Sequence, residues 1–304
     1  SIFTLIGLYF RVNLASAMEY RSAFMLQVFG MVLSNGSFVF FWWVAFSQIG
    51  ARIGGYDFTD VMFIWAVTSS AFGTANILFA NMNHISRLII SGELDTFLLQ
   101  PKSVLTSVLC ARTSLSAWGD LLYGFLLIAL TQGADGRAWL MFFCGLVIGA
   151  LLMTAVAVTA HTLTFYVGDA STLAGMSVEF IVNFCIYPKG IYAGWVQVLM
   201  ATLIPATFMV HLPLQLARQF DLLLFAGLLA ASAAYCSLAG FFFYRGLRRY
   251  ESGNLIVEQR MVNFEATPAN FKCMLYAPPR RRKRTRVVML DAEGSTKIYQ
   301  YPDG

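Results

Sequence analysis

The stretch ISGELDTFLLQPKSVL, residues 90–105, stands between two long apolar runs. Its acids, Glu93 and Asp95, belong to a 304-residue chain that is 58% hydrophobic and only 12% charged, with a mean hydropathy of +0.65. A soluble domain carries about 25% charged residues and about 45–50% apolar ones. This balance leaves too little polar side chain to cover a water-facing surface, so the bilayer is the expected solvent. A polar stretch between apolar runs then marks where the chain leaves the membrane, and its local pattern decides what kind of exit it makes. Ile85, Leu88 and Ile89 recur at i, i+3, i+4, as do Leu94, Phe97 and Leu98. Gly92 separates the two patterns and Pro101 ends the second. Glu93, Thr96 and Gln100 take the other face. The pattern reads as a cytosolic helical elbow with one apolar and one polar side; the plainer alternative is a surface loop lying on the headgroups.

Working outward from the elbow, the chain reads as an all-α membrane protein. Residues 1–22 are apolar but interrupted by Arg11, Asn13, Glu19 and Arg21, which suits an interfacial amphipathic helix. The transmembrane body, 23–246, holds six spans. The first, about 23–47, ends in FVFFWWVAF, whose Trp42 and Trp43 suit an interfacial belt. The second runs over about 58–82 and the third over about 106–131, with the polar loop 83–105 between them. QGADGR, Gln132–Arg137, is a turn. The fourth span covers about 138–166, and the fifth begins near Ser171 and breaks at YPKG, Tyr187–Gly190. Residues 191–218 are too short for two crossings of about 20 residues each, so they are expected to form a re-entrant or interfacial pair before the sixth span. That span is about 220–244. Lys and Arg lie mainly on the side that holds Arg11, Arg21, Arg87, Lys102, Arg112, Arg245, Arg248 and Arg249. This places both termini and the elbow in the cytosol. No cleavable-signal pattern is read at Ser1 and no internal repeat stands out. Residues 247–304 read as a basic cytosolic tail. RRRKRTR, Arg280–Arg286, suits a lipid-facing segment better than nucleic acid. RVVML and KIYQY form either a short hairpin turning at DAEGS or part of a disordered tail.

Motifs for chemistry are missing from the text. There is no G-x-x-x-x-G-K-[ST], and AEGSTK, Ala292–Lys297, lacks its spacing. No H-E-x-x-H or G-x-S-x-G occurs. His84, His161 and His211 are far apart and read as satisfied polar residues. The five cysteines form no C-x-x-C pair and read as small buried residues, so neither a metal site nor a catalytic residue is expected.

SGELDTFLLQP, Ser91–Pro101, resembles the first cytosolic loop of the permease subunits of type-2 ABC exporters, whose pattern is approximately S-G-x-L-D-x-x-L-L-x-P. Other matches lie in order: EYR at Glu19–Arg21, Trp118–Gly119, EFIVNFCIYPKGIY at Glu179–Tyr192, IPATFMVHLP at Ile204–Pro213 and LRRYESGN at Leu247–Asn254. The resemblance covers about residues 1–254, and the remainder has no place in it. It implies the interfacial N-terminal helix, six transmembrane helices and re-entrant helices before the sixth. It also implies a transporter subunit of the bacterial plasma membrane that is not itself an enzyme and holds no cofactor. ATP and Mg would sit on a cytosolic ATPase present in two copies, beside a second permease, similar or identical. Glu93, Leu94, Asp95, Phe97 and Leu98 would be the ATPase-coupling residues. In that arrangement the apolar face anchors the elbow to the spans and the acids face the ATPase.

Within the spans, Asn76, Asp120 and Glu179 are polar groups in an apolar setting. Such groups are expensive there and either bond to another helix or line a pathway. Gly145 and Gly149 in the fourth span suit close helix packing. The leading function is export of a cargo using ATP hydrolysed by a separate subunit. The alternatives are an intramembrane lipid-modifying enzyme or a non-transporting membrane scaffold that binds lipid through its tail.

Overall fold

A computed structural model describes residues 2–50, 52–100, 102–202 and 204–250, together with strand segments 263–266, 271–276, 286–290 and 296–300. Over residues 2–250 the regular structure is helical. Helix α1 (Ile2–Glu19) leads through Tyr20, whose φ of −111° and ψ of 64° leave the helical region, into α2 (Arg21–Ile49). Helix α3 (Phe58–Phe79) is launched by a reciprocal capping box. Asp57 accepts from the Asp60 N–H, and Asp60 accepts from the Asp57 N–H, each at 2.9 Å. A 3₁₀ turn, Ala80–His84, then leads to α4 (Ile85–Ile90), α5 (Asp95–Leu98) and α6 (Val104–Cys110). Helix α7 (Ala117–Gln132) and α8 (Gly136–Thr162) are joined by a tight turn, and α9 (Thr164–Val167) prolongs α8. Helix α10 (Ser171–Ile186) ends at Tyr187. It is followed by α11 (Gly194–Thr202), a π-helical turn at Thr207–His211, α12 (Leu212–Arg218) and α13 (Leu222–Leu247).

Four stretches are long and apolar enough to cross a membrane: Phe3–Ile49, Phe58–Ile90, Gly136–Val167 and Leu222–Leu247. The pair Gly194–Thr202 and Thr207–Arg218, bent by 86°, adds a fifth if it crosses as one broken span. Helices α7 and α10, at 16 residues each, are shorter apolar elements. The layering follows from burial. Of the most apolar windows, 83% of that in the α3 stretch and 72% of that in the α8 stretch is buried, against 17% for those in the α1–α2 and α13 stretches. Helix α3 is apolar all round, as a helix enclosed by others must be, and α7 and α8 lie against it. The close approaches use missing side chains. A Cβ on Gly149 would lie 2.7 Å from the Ala71 Cβ, and one on Gly145 would lie 2.9 Å from a Val67 methyl, as the sequence suggests for packing. A Cβ on Gly124 of α7 would sit 2.6 Å from the Ala66 carbonyl oxygen, and one on Gly119 would sit 2.6 Å from the Val28 carbonyl oxygen.

Two expectations about the spans change. The third does not run unbroken from 106. Residues 104–110 form the separate helix α6, and the chain crosses over before α7 begins at Ala117. The cause is local. Ser114 N donates to Asn76 O at 3.0 Å and the Thr113 hydroxyl donates to Ile77 O at 2.9 Å, so the crossover satisfies carbonyls near the end of α3. Trp42 does not turn its ring outward as a belt residue would. It is buried with its ring 6.0 Å from that of Tyr187, while Trp43 next to it is exposed.

Beyond the helices, β1 (Asn263–Ala266), β2 (Phe271–Tyr276), β3 (Arg286–Leu290) and β4 (Thr296–Gln300) pair antiparallel in the order β1-β2-β3-β4. RVVML and KIYQY are paired as β3 and β4, with Val288 opposite Ile298. An all-α description therefore holds for residues 2–250 and not for the tail. The turn at DAEGS, the basic residues 280–285, Pro101 and the end of the LRRYESGN motif lie outside the described residues.

Candidate functional site

The elbow is built where α3 runs out of apolar sequence. Gly92, at φ +76°, takes a left-handed turn that a side chain would resist, and this reverses the chain between α4 and α5. Leu94 N closes the reversal by donating to Leu88 O at 3.1 Å. The Leu94 side chain is fully buried among the helix ends and Phe97 is half-buried against the core. Leu98, expected on that same inner face, instead stands 40% exposed, and Leu99 is 87% exposed. Helix α5 has only four residues. A periodicity argument assumes several turns, and here the tight bend redirects the chain before the pattern repeats.

The two acids also part company. Glu93 is exposed and lies 4.0 Å from the Arg87 guanidinium, an ion pair in which both side chains are 54% accessible. Such a pair contributes little to stability. Asp95 turns inward toward Tyr250, at the end of the chain's helical part. Burial first, and then the neighbouring Asp95 carboxylate, push the Tyr250 hydroxyl up to about 12. The expectation that both acids point outward therefore holds only for Glu93.

Three bonded contacts tie the elbow to the spans. The Ser86 hydroxyl of α4 lies 2.7 Å from His161 Nδ1 and 2.7 Å from Thr164 Oγ1, with all three residues buried. The Ser86 N–H also donates to His161 Nδ1, at 3.4 Å, so that nitrogen is the acceptor. The Ser103 hydroxyl is 3.1 Å from that of Tyr244 on α13, and Asn81 Nδ2 donates to Val108 O at 2.6 Å. The serine–histidine pair was not singled out in the sequence, because its members are 75 residues apart in an apolar context. Its hydroxyl is enclosed and already shared between two partners, so no substrate reaches it.

The polar groups within the spans divide in the same way. Asp120, in the first turn of α7, is buried and accepts from Asn35 Nδ2 at 2.7 Å, while the Ser69 hydroxyl donates to its carbonyl. Asn76 is buried, accepts from Asn83 Nδ2 at 3.1 Å and donates to Phe72 O at 3.0 Å. Glu179 shares no bond with either. It is exposed on the outer face of α10 with Met176, Phe180 and Asn183.

At the opposite end of α3 and α8 is an open cavity of about 440 Å³. Asp60 and Arg218 form its inner wall. Arg218 Nε donates to Asp60 Oδ1 at 2.8 Å, and a second guanidinium nitrogen pairs with Oδ2. The same guanidinium lies over the Tyr56 ring, 5.3 Å from its centre. Burial pushes the Tyr56 hydroxyl up to about 12, although Arg218 works the other way. Burial also acts to raise the Asp57 carboxyl, but hydrogen bonds from the Thr59 hydroxyl and the Asp60 N–H outweigh it and hold it below its ordinary value. Among the described residues no three His, Cys, Asp or Glu side chains converge as a metal centre would require.

Comparison with known proteins gives one family. A model described as "ABC-2 family transporter protein" matches residues 32–253, which take in α3 to α13, all but the first part of α2, and the elbow. No curated protein matches the chain.

Proposed function

The chain belongs to the ABC-2 transporter family, and from that membership we propose that it is the membrane-spanning permease of an exporter in the bacterial plasma membrane, driven by a separate cytosolic ATPase. It is a multi-pass membrane protein and the permease component of an ABC-type transporter. In our reading α2, α3, α7, α8, α10 and α13 are six spans, α1 lies in the interface, and the bent pair α11–α12 re-enters before the last span. Two ATPase copies hold ATP and Mg. A second permease, similar or identical, faces this one across the surface of α10 that carries Glu179. A carboxylate at mid-helix is costly against lipid, which favours protein or an aqueous path on that side.

The observation that carries the coupling role is the form of the elbow. It offers Leu98, Leu99 and Glu93 outward while Leu94 and Asp95 hold it to the helix ends. Its bonds to α8, α9 and α13 would transmit a push on the exposed tip to three helix ends together. The test is co-purification. Membrane extracts should yield the chain with an ATPase whose hydrolysis depends on it. Glu93→Lys combined with Leu99→Asp should abolish that association while the permease still inserts. Normal ATPase binding and transport by this double variant would remove the elbow from the coupling path.

A further inference from the structure

The cavity at the far end of the helices has a composition that the coupling reading does not use. Gln132 at the end of α7, Asp135 and Arg137 at the start of α8, and the Asp60–Arg218 pair supply its polar wall, and the buried Phe63 and Leu214 lie behind it. Helix α3 spans about 33 Å at 1.5 Å per residue, so the cavity and the elbow lie on opposite sides of a hydrocarbon layer about 30 Å thick. Trp139, half-buried one turn into α8, donates its indole N–H to Gly133 O at 2.9 Å, as an aromatic ring at headgroup depth does.

The charges are fixed unequally. Asp60 is saturated by Arg218 and by the Asp57 N–H, and only the outer edge of the Arg218 guanidinium remains for a ligand. The side chain of Arg137 makes no ion pair among the described residues. Asp135 uses Oδ1 to cap α8 through the Arg137 N–H at 3.0 Å, and its second oxygen carries no hydrogen bond among the described residues. The Arg137 guanidinium and the outer edge of Arg218 therefore line the cavity beside one available carboxylate oxygen. A single anion would meet the carboxylate as a repulsive neighbour, and a single cation would meet the arginines. We propose that this cavity binds a zwitterionic group that joins a phosphate-type anion to an ammonium, with the anion on Arg137 and Arg218 and the ammonium on Asp135. The volume suits such a ligand, since small-molecule sites run to about 300–1,000 Å³. The same chemistry is offered by a zwitterionic lipid headgroup and by a free phosphoamine.

The purified transporter complex in detergent tests this by titration with phosphatidylethanolamine, phosphatidylglycerol and soluble phosphoethanolamine. Binding is read by native mass spectrometry and by the shift in Tm. Phosphatidylethanolamine should bind about tenfold tighter than phosphatidylglycerol, as a charge-assisted hydrogen bond commonly provides. Arg137→Gln should weaken both lipids, and Asp135→Asn should erase the preference while keeping a sound helix cap. Equal affinity of the wild-type protein for the two lipids, or an Arg137→Gln variant that binds as wild type, overturns the proposal. A competition needs no variant: glycerol phosphate, which lacks the ammonium, should displace bound ligand about tenfold less well than phosphoethanolamine, and equal displacement also overturns it. Binding of the soluble compound at the lipid's affinity identifies a free solute as the ligand. Binding of the lipid alone identifies a headgroup, and binding of neither defeats the site.

Discussion

Leu94 and Leu99 share one chemistry and are five positions apart, yet the first is wholly buried and the second is 87% exposed. Burying a leucine draws on transfer from water and on close packing, so Leu94→Ala should cost about 2–5 kcal/mol. Leu99→Ala removes nothing from the isolated chain. If Leu99 contacts the ATPase, its truncation should cost more than about 1 kcal/mol of association, the range of an interface anchor. The pair is read by thermal unfolding of the permease alone and by ATPase affinity. Leu94→Ala should lower Tm with little specific loss of affinity, and Leu99→Ala should do the reverse. Identical effects of the two changes on both readouts would deny the division between anchor and tip. The sequence makes the elbow legible as an object, because Gly92, Pro101 and the acids stand out against apolar surroundings. It does not make Leu98 legible, because a four-residue helix is shorter than the pattern used to orient it.

At the scale of elements, the informative departure is the interrupted third span. LTSVLCARTSLSAW, residues 105–118, contains a single charge, Arg112, and is read as the first part of one span. The interruption depends on Asn76 and Ile77, more than 30 residues earlier, whose carbonyls receive bonds from Ser114 and Thr113. No local pattern contains that information. The contact of α7 with α3 is similarly hidden. Gly145 and Gly149 repeat at four residues and are readable as a packing face, whereas Gly124 stands alone on its side of α7. Its imagined Cβ would nevertheless fall 2.6 Å from the Ala66 carbonyl oxygen, a backbone atom that cannot turn aside as the Ser70 hydroxyl can. Gly124→Leu should therefore force the two helices apart at a cost above the roughly 1–3 kcal/mol typical of overpacking. Gly136→Ala, where a Cβ meets nothing, serves as the control. The measurement is the fraction of monodisperse permease after extraction. Equal recovery of Gly124→Leu and the control would mean that α7 does not rest on α3 as closely as described.

For the whole molecule, the two ends of α3 and α8 define the faces, with the elbow at one and the cavity at the other. The expected orientation rests on the Lys and Arg distribution. In a cysteine-free background, single cysteines at Ser91 and Asp135 should label from opposite sides of the membrane, with Asp135 reached from outside the cell. Labelling of both by an impermeant reagent added outside would sink the arrangement. The apolar spans, the polar elbow and the change of character near residue 254 were all legible, because each is a change in composition over many residues. The buried node of Ser86, His161 and Thr164 and the Asp60–Arg218 wall were not, because both join residues 75 or more apart.

The brevity of α7 and α10 has a consequence for the lipid around them. Sixteen residues rise about 24 Å, roughly 6 Å less than an average hydrocarbon core. Helix α10 faces the second permease in our reading, but α7 turns Leu122, Leu126 and Leu130 outward, so lipid there must shorten to meet it. Such hydrophobic mismatch costs fractions of a kcal/mol for each ångström, and it favours thin bilayers. The transporter should consequently melt at a higher temperature in nanodiscs of 14-carbon phosphatidylcholine than of 18-carbon phosphatidylcholine. An equal or reversed order would show that the deficit is made up by a partner seated on α7, and that the pinched membrane expected along this flank does not form.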